Sequence, residues 1–154
     1  MLGFIKNLIS NNLSSDDNAS QYNTEQQLEI ATCALFLEIA NADDDFSIEE
    51  KTFIEETMKN EFNLDEKLVT ELLELATKKT EESVSLYEFT DIINKSYGKD
   101  EKLKILKNLW RLVYADGKLD KYEEYFIRTI SKNLHLEHSD MITAKLEVKE
   151  EKNT

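Results

Sequence analysis

From residue 24 almost to residue 148, apolar side chains recur three and four positions apart, the period of one face of an α-helix. Helix starts are marked by residues that can cap free backbone N–H groups, with Glu or Gln three positions on. Thr24 with Gln27, Ser47 with Glu50, Ser85 with Glu88 and Asp120 with Glu123 all fit. Asn63 or Asp65 opens another helix, Asp100 another, and a last one runs from about Ser139. The spacing thus predicts seven helices and an all-α fold. The first carries Leu28, Ala31, Leu35 and Ile39 on one face. Ile30, Cys33, Ala34, Phe36 and Leu37 cover the rest, so this helix should be central. The fifth carries Leu103, Leu106, Leu109, Trp110 and Val113, and Trp110 should be buried. The last presents Met141, Ile142 and Leu146.

The pattern repeats when the chain is shifted by 73 residues. Ile30 then falls on Leu103, Cys33 on Leu106, Phe36 on Leu109, Leu37 on Trp110 and Ala40 on Val113. Ala42-Asp43 falls on Ala115-Asp116, and Phe53-Ile54 on Phe126-Ile127. Two amphipathic helices can match by chance, but a loop and an apolar pair beyond them add independent agreement. The expectation is a bundle with an internal pseudo-twofold repeat of three-helix units, the fourth helix lying between them.

Composition supports helices. Proline is absent and glycine occurs three times in 154 residues, too few for the many turns of a sandwich or small barrel. The balance of 19 basic against 32 acidic residues gives a net charge of −13, which repels nucleic acid and anionic lipid. A single cysteine, Cys33, excludes an internal disulfide and fits a reducing cytoplasm. Residues 1–13 read as a short amphipathic helix, below the ~20 apolar residues of a membrane span. They also lack the basic start of a secretory signal, and one Lys is too little for a membrane-surface helix. Residues 14–23 read as a flexible linker, 24–148 as the helical domain and 149–154 as a solvated acidic tail.

The chemistry-bearing candidates are two matched loops, Ala42-Asp43-Asp44-Asp45-Phe46-Ser47-Ile48-Glu49-Glu50 and Ala115-Asp116-Gly117-Lys118-Leu119-Asp120-Lys121-Tyr122-Glu123. Each runs from Asp through an apolar residue to a capping Ser or Asp, with Glu seven positions after the first Asp. Capping accounts for Ser47, Asp120, Glu50 and Glu123 without a ligand. It does not account for Asp43 and Asp116, whose negative charge at a helix C-terminus is unfavourable by about 0.3–1 kcal/mol. A divalent cation held between Asp and Glu would remove that misfit, because hard cations prefer clustered oxygens. Loop closure alone and a partner-facing acidic patch are the other readings, and all three stay open. The loops are not EF-hands, since the twelfth position is Ile54 or Ile127 where an EF-hand needs Glu.

Enzymatic constellations do not emerge. Cys33 sits in an apolar stripe, as core filling does. His135 and His138, between the sixth and seventh helices, have few neighbouring ligand types. There is no Glu-x-x-His for a di-iron site, and three scattered glycines make no phosphate loop.

Residues 33–56 (CALFLEIANADDDFSIEEKTFIEE) and 109–130 (LWRLVYADGKLDKYEEYFIRTI) resemble the two halves of the tellurite-resistance TerB-like domain. Residues 85–97 between them and 139–146 at the end resemble it too, so the likeness runs from Leu28 to Glu147. The resemblance implies an all-helical, non-enzymatic domain linked to stress responses, related to one found in a DnaJ-type co-chaperone. It implies metal binding at Asp43, Glu50, Asp116 and Glu123, with Asp45 and Asp120 secondary. Asp44 stands where the family usually has glycine, and Lys118 enters the second loop. Two functional readings follow. One is a cation-responsive interaction module with a protein partner. The other is a purely structural adaptor domain without metal.

Overall fold

A computed structural model describes residues 24–41, 47–82, 85–115 and 121–152. Among them the chain forms seven α-helices and no strand. They are α1 (Thr24–Ala40), α2 (Ile48–Phe62), α3 (Glu66–Glu81), α4 (Leu86–Ser96), α5 (Lys99–Tyr114), α6 (Lys121–Asn133) and α7 (His138–Lys152). The expected N-terminal helix and linker, residues 1–23, lie outside the described residues.

Local chemistry sets most boundaries where the spacing put them. Ser47 caps α2 and Ser85 caps α4, each accepting from the backbone N–H three residues on, at 3.1 and 3.3 Å. Asn63 does not open α3. It ends α2 in the left-handed region at φ 55°, and the Leu64 N–H reaches back to the Lys59 carbonyl. Asp65 then caps α3 by accepting from Leu68 N at 2.9 Å. Helix α5 begins one residue earlier than expected, at Lys99, because Glu101 accepts the Gly98 N–H at 2.8 Å. His135 stops α6 at φ 62°, with the Leu136 N–H bonded to the Ser131 carbonyl. Asn63 and His135 thus do what glycine does at many helix ends, and Leu64 and Leu136 after them pack on the core.

Helix α1 packs against α2, α3, α4, α5 and α6. It is buried on every side from Leu28 to Leu37, as its all-round apolar pattern requires. Helix α5 is the second hub, packing on α1, α2, α6 and α7. Trp110 is fully buried among these helices.

Two expectations about α7 need correction. Its buried stripe is Met141, Ala144 and Val148, whereas Leu146 is exposed. Leu146 lies five residues after Met141, about 140° around the helix and off that stripe. The segment read as a tail from residue 149 is helical through Lys152. It is fastened to α5 by Arg111, whose Nε and Nη2 donate to the two oxygens of Glu151 at 3.0 and 2.7 Å. Lys107 pairs with Glu147 on the same side.

Candidate functional site

The two acidic loops follow the hub helices α1 and α5 and lead into α2 and α6. Asp43, Asp45, Asp116 and Asp120 lie outside the described residues, together with Asp44, Gly117 and Lys118. Glu50 and Glu123 lie within them, in the first turns of α2 and α6.

Around Glu50 the capping box is complete. Glu50 Oε1 accepts from the Ser47 backbone N–H at 3.0 Å and from its hydroxyl at 3.1 Å, while Ser47 Oγ accepts from Glu50 N at 3.1 Å. The same carboxylate position recurs at two other helix starts, and the comparison is informative. Glu88 in α4 and Glu101 in α5 are exposed, where capping glutamates are ordinarily found. Glu50 and Glu123 are each only 1 % exposed. Capping therefore does not explain why these two carboxylates are sunk into the fold. Burying a carboxylate is costly unless charge and hydrogen bonds compensate it. Their hard oxygen donors have the chemistry a divalent cation prefers.

Beside Glu50, Ile48 is 80 % exposed at the first position of α2. Tyr87, Tyr125 and Leu146 are the other large apolar side chains left in solvent among the described residues.

The remaining candidates occupy structural places. Cys33 is fully buried, and burial pushes its thiol well above the ordinary range, which disfavours the nucleophilic thiolate. His135 and His138 are exposed, and His138 is the first residue of α7 rather than part of a loop. Among the described residues, no three His, Cys, Asp or Glu side chains gather into a group able to hold a metal ion. No helix among them is long and apolar enough to cross a membrane.

Sequence reasoning missed several buried charges. Glu29 on α1 is 7 % exposed, and burial, with the nearby Glu25 carboxylate adding to it, raises its pKa to about 7. Burial likewise raises Glu38 and lowers Lys79, the latter opposed by Glu82. The signal for Glu29 was present in α1 itself. A helix whose apolar residues cover every face must bury the polar residues it holds between them.

No curated protein and no solved structure matches the chain. The model of one family, described as tellurite resistance protein TerB, does match, over residues 29–146. That stretch runs from the first hub helix into the middle of α7 and includes both acidic loops, and the chain belongs to the TerB family.

Proposed function

We propose that this TerB domain is a non-enzymatic interaction module whose two acidic loops hold a divalent cation. The observation that carries this reading is the burial of Glu50 and Glu123, in contrast to Glu88 and Glu101, which hold the same position in α4 and α5 and are exposed. Asp43 and Glu50 would hold the ion at the first loop, with Asp45 secondary, and Asp116 and Glu123 at the second, with Asp120 secondary. The ion's contribution is electrostatic: it neutralises clustered carboxylates and draws the end of one helix to the start of the next. Each loop joins a hub helix to the helix after it, so occupancy would set how α2 lies on α1 and how α6 lies on α5. A partner surface beside the loops would then respond to the ion. Ile48, exposed two residues before Glu50, is an apolar contact for a protein partner at that place.

The test is thermal melting of the wild type and of the Asp43→Asn/Asp116→Asn double variant, with calcium, magnesium, manganese or zinc against chelator. A ligand of the folded state stabilises by mass action, about 2.7 kcal/mol at one hundred times its dissociation constant. The reading requires stabilisation in the wild type and its loss in the double variant. A response retained by the double variant rejects these ligands. No response in the wild type rejects the metal role and leaves the adaptor domain without metal.

A further inference from the structure

A cavity of about 230 Å³ opens between α1, α2 and α5. Phe36, Phe62 and Tyr97 give it aromatic walls, and Glu61 and Glu101 give it carboxylates. Neutral donors hold both anions in place. Glu61 Oε1 accepts from Asn108 Nδ2 at 3.3 Å, and Glu101 Oε1 accepts from the Gly98 amide at 2.8 Å. Among the described residues neither forms an ion pair with Lys or Arg, although the Arg111 guanidinium, bonded to the same Asn108, is near enough to feel the Glu61 charge. Lys104 also lines the cavity, but it is exposed and forms no ion pair among the described residues, and its stem lets the ammonium swing into water.

A second observation concerns Thr32. It lines the same cavity from α1 and is 3 % exposed, and its buried Oγ1 has no hydrogen-bond partner among the described residues. Four other helical threonines, Thr70, Thr80, Thr90 and Thr129, turn the hydroxyl back to a carbonyl of the preceding turn. A buried hydroxyl that forgoes even this bond is costly unless a bound group satisfies it. The potential is negative here as well. Burial first, then the Glu61, Glu101, Glu25 and Glu29 carboxylates, push the Tyr97 phenol above its ordinary value.

We propose that this cavity binds an organic ammonium ion with a short apolar body. An ammonium presents three donors and no acceptor, and Glu61, Glu101 and Thr32 each place an acceptor on the cavity wall. The aromatic rings take the apolar body and add attraction between cation and ring face. A metal ion fits less well, because no third carboxylate, His or Cys joins Glu61 and Glu101 in a metal-holding group among the described residues. The site is independent of the cation reading of the acidic loops.

The experiment titrates n-butylammonium chloride into the full-length ¹⁵N-labelled chain and follows backbone amide signals. Saturable shifts are expected at Thr32, Tyr97 and Asn108. Glu61→Gln and Glu101→Gln keep a carbonyl to accept from Asn108 or Gly98, and each should weaken binding about tenfold or more. Thr32→Val should weaken binding several-fold while melting at or above the wild-type temperature. Acetyl-lysine methylamide separates the two sources of an ammonium. Tighter binding than n-butylammonium assigns a lysine side chain of a partner, and weaker binding assigns a free amine. The proposal is overturned if no saturable shift occurs, or if uncharged n-butanol binds as tightly. It is equally overturned if both Gln variants bind like the wild type.

Discussion

The indole N–H of Trp110 donates to the main-chain carbonyl of Met141 at 3.2 Å, so α5 grips α7 from inside the core. The Tyr114 ring stacks on Trp110 at 6.2 Å between centroids, and Lys145 Nζ sits 5.3 Å from the indole centroid. Trp110→Ala should cost about 3–5 kcal/mol in denaturant unfolding, the usual range for a large buried aromatic. Trp110→Phe keeps much of the volume but loses the bond to Met141, and should cost less than the Ala variant. The protein has one tryptophan, so its fluorescence reports this place alone. Blue-shifted emission in the native state, moving to the red in the same transition as the loss of helical circular dichroism, is the expected behaviour. Emission at the wavelength of a water-exposed indole would contradict this packing.

A pH dependence follows from Glu29. Its folded-state pKa is raised from the ordinary 4.5 to about 7 by burial and by Glu25. Between those values the folded state holds more protons than the unfolded chain. Stability therefore falls as pH rises from about 4.5 to about 7, by up to about 3 kcal/mol. Glu38, raised by burial, adds a slope of the same sign. Glu29→Gln keeps the shape without the charge. It should raise the melting temperature at pH 8 and change it little at pH 4. An equal effect at both pH values would show that Glu29 does not carry the slope.

At the far end of α7, burial and ion pairing make different predictions. Val148 is 1 % exposed against the core, whereas Arg111 and Glu151 form a bidentate pair whose side chains stay partly in water. Exposed pairs are worth about 0–1 kcal/mol. Arg111→Met should therefore cost less than about 1 kcal/mol. Val148→Asp should cost several times as much, because it buries an uncompensated carboxylate. Chemical denaturation of the two variants compares them. A larger loss for Arg111→Met would mean that the ion pair, not the apolar stripe, holds α7.

The helices were legible because helix formation is announced locally. Ser47 with Glu50 and Ser85 with Glu88 mark starts that the backbone uses, and the all-round apolar pattern of α1 announced its central place. What was not legible depends on partners distant in sequence. Nothing near residue 151 reveals that Arg111 stands 40 positions away to receive Glu151. Asn63, one of two candidate starts for α3, failed for a different reason, and the stop made by His135 was not foreseen from its place in the loop. Polar residues near helix junctions serve starts and stops alike, and only the left-handed backbone at φ 55° and 62° shows that these two are stops. At the acidic loops, the sequence picked out Glu50 and Glu123, but a capping box looks the same whether its carboxylate is wet or buried. Their burial appears only when α2 and α6 are set against the hub helices.

That difference allows capping and ligation to be separated by substitution. Glu88→Gln and Glu101→Gln should each change stability by less than about 0.5 kcal/mol with or without divalent ions, because Gln serves the same capping position on an exposed turn. Ser47→Ala removes the acceptor that Glu50 N uses and should cost about 1 kcal/mol. That cost should be the same in chelator and in metal, because the cap itself binds no ion. Glu50→Gln and Glu123→Gln keep a carbonyl oxygen at the capping position, so the informative quantity is the change in their melting between chelator and metal. In the presence of the stabilising ion they should lose the ion-dependent gain that Ser47→Ala retains. Melting the five variants side by side makes the comparison direct. If Glu50→Gln and Ser47→Ala respond to the ion alike, Glu50 acts as a cap and not as a ligand. If Glu123→Gln alone abolishes the response, the second loop is the one that holds the cation.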